Sequence, residues 1–255
     1  MTRAPRRIPT FREELRDFLR FVRHPRFTPR LAPRAAGSGW WADWFPSLSI
    51  GSLVKWAAFL WAVNIFFLGP IAVMAAGAGG AAHKLNIYNI PWLQALLWAP
   101  IVEELVFRHG LRRLAQAVWV VPAAAAVLVT GPGWGTILLL AAILLLCWAP
   151  PLMRSPSGRR PLPWRLRLRY RRVFGWVFYG SSLLFAAVHL NNFSLAQTPY
   201  WLMPLLVLPQ CLTGMVLGWL RVRRGIGASM LLHGIFNAGP LLVVWVVLHT
   251  VDLPV

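Results

Sequence analysis

The sequence predicts an all-α fold: a polytopic integral membrane helix bundle of about seven transmembrane helices, with an N-terminal amphipathic interfacial helix. Three observations predict it. Of the 255 residues, 58% are hydrophobic and only 13% are charged, where a soluble domain carries about a quarter charged residues; the mean hydropathy is +0.58. Apolar runs recur from residue 53 to residue 248, each close to the roughly 20 residues that cross a bilayer. The basic residues are segregated, with ten arginines between Arg3 and Arg34, eight between Arg154 and Arg172, and three at Arg221, Arg223 and Arg224. That is the pattern of cytoplasmic segments under the positive-inside rule.

The formal charge of +19 would suggest nucleic acid in a soluble protein. Here the apolar runs between the basic patches leave no soluble platform for it, and anionic membrane lipid is the expected partner of the arginines. One membrane domain is expected, with no room for a second large core. Cys147 and Cys211 fall inside apolar runs and read as packing residues rather than a disulfide or metal pair. The first forty residues are arginine-rich without a continuous apolar core, so the first span is expected to direct insertion itself.

Taken in order, residues 10–24 form an amphipathic helix. Thr10 and Glu13 fit a capping box, and Phe11, Leu15, Phe18, Leu19 and Val22 share one face. With arginines on the other face, the helix is expected to lie on the cytoplasmic leaflet, with docking to a partner as the alternative. Prolines and glycines over residues 25–39 make a linker, and Trp40, Trp41, Trp44 and Phe45 read as an interfacial aromatic belt. Spans are expected near residues 50–75, 91–114, 115–131, 134–152, 173–191, 201–220 and 226–249. Starting from an inside N-terminus, this order returns 153–172 and 221–225 to the cytoplasm, where the arginines fall, and leaves the C-terminus outside. Pro122 and the Gly131-Pro132-Gly133 turn make a re-entrant hairpin of 115–152 the alternative. The division expected is a cytoplasmic segment 1–48 and a membrane-embedded domain 49–255, in which 115–172 is an inserted hairpin plus basic loop.

The acidic residues carry the sharpest functional signal. Of seven, Glu13, Glu14, Asp17 and Asp43 precede the first span and Asp252 follows the last. Only Glu103 and Glu104 remain for the membrane region. A carboxylate at that depth costs several kcal/mol and is functional by default, facing a cavity or a partner. Arg108 is four residues after Glu104 and meets it on one helix face, while Glu103 points about 100° away. One glutamate can be held by the arginine while the other faces a reaction centre; a buried ion network that only fixes packing is the alternative.

Histidines supply the partners. Of six, His24 reads as cytoplasmic, His83 as an outer-loop residue and His249 as interfacial. His189 and His233 lie within apolar runs, and Asn237 falls one turn after His233. Together these groups could hydrolyse a peptide bond with an activated water. Glu103 would take the water's proton and His189 would orient it. His233 and Asn237 would donate to the oxyanion, worth roughly 3–4 kcal/mol per donor.

At these residues the chain resembles a known family. Glu103-Glu104-Leu105-Val106-Phe107-Arg108 matches the EExxxR motif of the CPBP family of intramembrane proteases (CAAX proteases and bacteriocin-processing enzymes, Rce1-like). Phe185-Ala186-Ala187-Val188-His189 matches its FxxxH motif, and His233-Gly234-Ile235-Phe236-Asn237 its HxxxN motif. The resemblance covers roughly residues 91–114 and 173–240. It implies an intramembrane endopeptidase with a cavity open to the cytoplasm, in which Glu103 and His189 activate the water, His233 and Asn237 form the oxyanion site, and Glu104 and Arg108 support them. A metal-free glutamic mechanism is expected. Zinc is the alternative, held by Glu103, His189 and His233, although no HExxH helix is present.

Two departures stand out. About eighty residues separate EExxxR from FxxxH where a few tens are usual, and His109 follows the motif arginine where Gly is common. His109 reads as part of a polar helix face, with a supporting ligand as the alternative. The expected boundaries also put His189 some 24 Å from the cytoplasmic end of its helix and His233 roughly 10 Å from its own, so helix 173–191 must tilt or begin below the bilayer surface. The substrates implied are membrane-associated peptides, either prenylated C-termini or leaders and sorting tails. An arginine- and alanine-rich composition points to a bacterial inner membrane. A proton- or cation-coupled transporter using the glutamate pair and a non-catalytic scaffold are the competing readings. Against the transporter stands the lack of matched halves.

Overall fold

The computed structural model describes residues 9–31, 41–45, 48–148 and 163–250. Trp40, the Trp41 side chain, most of the linker after residue 31, the arginines of 149–162 and Asp252 lie outside the described residues. Helices dominate, and among the described residues three are long and apolar enough to cross a membrane: Ile50–Gly79, Trp164–Asn192 and Ile226–Thr250. Two shorter apolar helices, α6 (Leu114–Thr130) and α7 (Trp134–Trp148), pack on each other across a turn closed by Thr136 Oγ1 donating to the Gly131 carbonyl at 2.7 Å.

The remaining expected spans are interrupted. Residues 91–114 comprise a π-helical turn Gln94–Trp98, α5 (Ala99–Phe107) and a 3₁₀ turn His109–Leu111. Residues 201–220 comprise a short α9 (Met203–Leu206) and α10 (Leu208–Arg223). A second π turn, Asn64–Leu68, joins α3 (Ile50–Val63) to α4 (Gly69–Gly79). Each π turn runs into a helix with a proline at its start, Pro70 or Pro100. Proline brings no N–H to the ladder and crowds the preceding turn, and the wider π turn accommodates it.

The arginine-rich residues 165–172, expected in a loop, are helical. α8 runs Trp164–Val188, so it begins nine residues before the expected span, as the depth of His189 requires. It packs against α10, and the two approach closely through glycines. A Cβ on Gly218 would come within 2.9 Å of the Phe178 ring, and one on Gly214 within 3.0 Å of the Phe185 ring. On the far side, β1 (Ala82–His83) pairs antiparallel with β2 (Phe193–Ser194), tying the end of α4 to the segment just after α8.

The N-terminal helix α1 (Phe11–Arg23) opens on the expected capping box: the Glu13 N–H donates to Thr10 Oγ1 at 3.4 Å and the Thr10 N–H to Glu13 Oε2 at 2.7 Å. Much of its apolar face, expected against lipid, packs on the protein, while Leu19 stays exposed. Phe18 packs edge-on to Trp56 and Trp219, and Phe21 to Phe178. The polar side is committed too. Glu14 accepts from Trp56 Nε1 at 2.9 Å and pairs with Arg224, while Asp17 accepts from Trp219 Nε1 at 2.8 Å and pairs with Arg223 at 2.5 Å.

Arg221, Arg223 and Arg224, expected to face the lipid surface, are therefore internal clamps. Arg221 and Arg224 are buried, and charges are buried only when paired. The partner of Arg221 is Asp43, in the one-turn helix α2 (Trp41–Trp44), at 2.8 Å; Asp43 also binds Arg30 at 2.5 Å and Arg113 at 3.2 Å. Burial alone would raise the Asp43 carboxyl, but the charges of Arg221, Arg30 and Arg113 outweigh it and hold the group well below the usual carboxylate range. Trp44 is buried and Phe45 exposed, so the expected aromatic belt is split there. Cys147 and Cys211 are both free thiols.

Candidate active site

α5 enters the bundle beside the last helix, α11 (Ile226–Thr250), and the adjacent glutamates diverge around it. Glu104 is fully buried and fully engaged. Arg108 Nη1 lies 3.1 Å from Oε1, Ser229 donates to Oε2, and His233 Nδ1 lies 3.2 Å from Oε1. A carboxylate only accepts, so the His233 Nδ1 carries the hydrogen of that bond. Ser229 and His233 are four residues apart on α11 and present one face to Glu104. Glu103 is the opposite case. Its side chain keeps 13% exposure, its Oε2 is buried without a hydrogen-bond partner, and that oxygen lies 3.8 Å from His233 Nε2. The gap is too long for a hydrogen bond and spans the space between two groups that can exchange protons.

Arg108 is buried and lies over an aromatic ring. Its guanidinium carbon sits 3.8 Å from the centroid of Phe185, and the ring's other contacts include both candidate histidines, His189 at 4.6 Å and His233 at 5.7 Å between centroids. Phe185 thus joins the three motif segments. His189 ends α8, and its side chain turns back along the helix, as helical Cβ vectors do, so that Nδ1 lies 2.7 Å from the Phe185 carbonyl. A carbonyl only accepts, so Nδ1 is the donor and Nε2 is left with a free lone pair. Glu103, His233 and Arg108 all lie within electrostatic range of this ring.

Asn237 is tied to the backbone of the π turn that precedes α5. Its Nδ2 donates to the Ala95 carbonyl at 2.9 Å. In the π turn the Ala99 N–H bonds back to Gln94, and the next residue, Pro100, has no N–H to offer Ala95. Asn237 supplies the missing hydrogen, which leaves one amide hydrogen and its oxygen for other partners.

His109, expected on a polar helix face, is buried beside α6. Its Nε2 lies 3.2 Å from Gln116 Oε1 and its carbonyl accepts from Arg221. Arg221 also binds the Arg108 carbonyl, so the Asp43 cluster fixes the end of the glutamate-bearing helix. His24 is exposed, His83 meets Phe193 edge-on within the small sheet, and His249 lies tilted over Trp245.

Ser229 and the Gly214 gap beneath Phe185 were not signalled in the sequence. A serine four residues before a motif histidine is the one cue that could have indicated the first. No group of three His, Cys, Asp or Glu side chains is drawn together closely enough to hold a metal ion among the described residues.

A family model described as type II CAAX prenyl endopeptidase, Rce1-like, matches residues 86–239, more than half of the chain, and spans all three motif segments. No curated protein and no solved structure matches the chain.

Proposed function

The chain belongs to the Rce1-like type II CAAX prenyl endopeptidase family and is an integral membrane protein, and on that footing we propose that it hydrolyses peptide bonds of membrane-associated tails with a water activated by Glu103 and His189. The observation that carries the reading is the asymmetry of the two glutamates. Glu104 is saturated by Arg108, Ser229 and His233, whereas Glu103 presents a buried, unbonded oxygen 3.8 Å from His233 Nε2.

In this mechanism a water donates one hydrogen to Glu103 and the other to the free Nε2 of His189. Glu103 takes the first proton as the oxygen attacks the substrate carbonyl carbon. His233, in its protonated form, donates Nε2–H to the oxyanion, and the second amide hydrogen of Asn237 adds to it. The carbon–nitrogen bond then breaks, the leaving amine takes the proton from Glu103, and the new acid ionises. Glu104 and Arg108 hold His233 and Phe185 in position. The orientation that accompanies this reading puts the N-terminus and the Asp43 cluster at the cytoplasmic face and the small sheet outside, in a bacterial inner membrane.

The test is cleavage of peptide tails, each carrying a C-terminal prenyl or acyl anchor, by purified protein in micelles, with products mapped by mass spectrometry. Wild type should cut one internal bond near the anchored residue. His189→Ala should cut about 10²-fold or more slowly with an unchanged melting temperature. Equal cleavage by His189→Ala would contradict the assignment.

A further inference from the structure

At the cytoplasmic end, residues 25–27 lie across the first turns of α8, and two clefts open on either side of this crossing. One, of about 400 Å³, is lined by Arg112, Arg167 and Trp164 among others. Its neighbour, of about 610 Å³, is lined by Arg26, Arg172 and Trp176. Phe27 and Arg171 line both.

The walls are fixed. Arg112 lies over the Phe27 ring at 4.4 Å and binds the carbonyls of Val222 and Thr28. Tyr170 donates to the Gly110 carbonyl at 3.0 Å and Tyr179 to that of Val22. The rim is different. Arg26, Arg167, Arg171 and Arg172 are exposed, and no acidic side chain pairs with any of them among the described residues.

Nor is an internal counter-charge left over among the described residues. Glu14, Asp17 and Asp43 are held by Arg224, Arg223 and the Arg30–Arg113–Arg221 group, Glu13 caps α1, and Glu103 and Glu104 lie in the site. The clefts also run along the part of α8 that changes from arginine-rich to apolar sequence after Arg172, with Trp176 exposed just past the change and Trp164 exposed at the helix start. In a membrane protein that boundary is the headgroup level.

We propose that these paired clefts bind the phosphate of an anionic phospholipid headgroup, taken by Arg167 and Arg171 from one side and by Arg26 and Arg172 from the other. Guanidinium forks match phosphate oxygens, the fixed aromatic walls take the glycerol, and the acyl chains lie along the apolar part of α8. The inference rests on the membrane placement of α8 and not on the peptidase reading.

The test uses full-length protein in neutral-detergent micelles and measures retained lipid by native mass spectrometry. The probes are phosphatidylglycerol, phosphatidylcholine and, separately, inorganic phosphate. Wild type should retain phosphatidylglycerol over phosphatidylcholine. Arg167→Gln/Arg171→Gln should lose that retention by on the order of tenfold, while Arg165→Gln/Arg169→Gln, which removes the same charge from α8 outside the clefts, should keep it. Inorganic phosphate that raises the melting temperature of wild type but not of Arg167→Gln/Arg171→Gln, without any lipid preference, would keep the phosphate site and assign it a soluble source. Equal loss in both double variants, or equal retention of the two lipids with no effect of inorganic phosphate on the wild-type melting temperature, overturns the proposal. Melting temperatures of the variants, all changed at exposed positions, check that each is folded.

Discussion

The guanidinium carbon of Arg108 lies 3.8 Å from the centroid of the Phe185 ring, so the last residue of one motif rests on the first residue of the next. Burial strips both groups of water, and a desolvated cation–π contact contributes about 2 kcal/mol. The same ring touches His189 and His233. One aromatic side chain therefore sets the mutual distance of groups carried on three helices.

Phe185→Leu should lower both stability and activity, by about 2–3 kcal/mol in folding free energy and by tenfold or more in cleavage. Gly214→Ala should act in the same direction from the other side, because its methyl would sit 3.0 Å from Phe185 Cδ1 and 3.4 Å from Arg108 Nη2. Thermal melting in detergent, read alongside peptide cleavage, checks both.

Asn237 and Pro100 should be coupled. Asn237→Ala leaves the Ala95 carbonyl unpaired and should cost about 1–3 kcal/mol. In a Pro100→Ala background, a backbone N–H becomes available to the π turn and the cost should shrink. A double-mutant cycle in melting temperature measures the coupling. If Asn237 also donates to the oxyanion, activity should stay low in the double variant even where stability returns.

The Asp43 cluster gives the fold a defined acid limit. Its carboxyl is depressed in the folded state, so the stabilisation is fully present above the unfolded value of about 3.9 and is lost as pH falls below it toward the depressed folded value. The contribution of this group to the melting temperature should be level from neutral pH to about 4 and fall below that. Asp43→Asn should cost about 3–5 kcal/mol and remove that component of the acid dependence.

How much of this was legible in the sequence follows from the range of the interactions. The α1 cap and the Glu104–Arg108 pair are local, three or four residues apart, and could be read directly. So could the motif residues, because ionisable groups in apolar runs need a reason to be there. Arg221 and Arg224 could not. They look like cytoplasmic loop arginines until Asp43 and Glu14, some two hundred residues earlier in the chain, are brought beside them. The start of α8 is hidden because an arginine-rich stretch reads as a loop, although arginine, leucine and tyrosine are all tolerated in helices. The Ala95–Asn237 bond depends on a π turn that no periodicity reveals.

The measurement that tests the central claim most directly compares Glu103→Gln with Glu104→Gln, in cleavage and in melting temperature, on the same protein preparations. Glu103→Gln should melt like wild type and lose cleavage by about 10²–10⁴-fold. Glu104→Gln should melt markedly lower, because a buried Arg108 loses its carboxylate. Glu103→Gln cutting within a few-fold of wild type would contradict the account, however Glu104→Gln behaves.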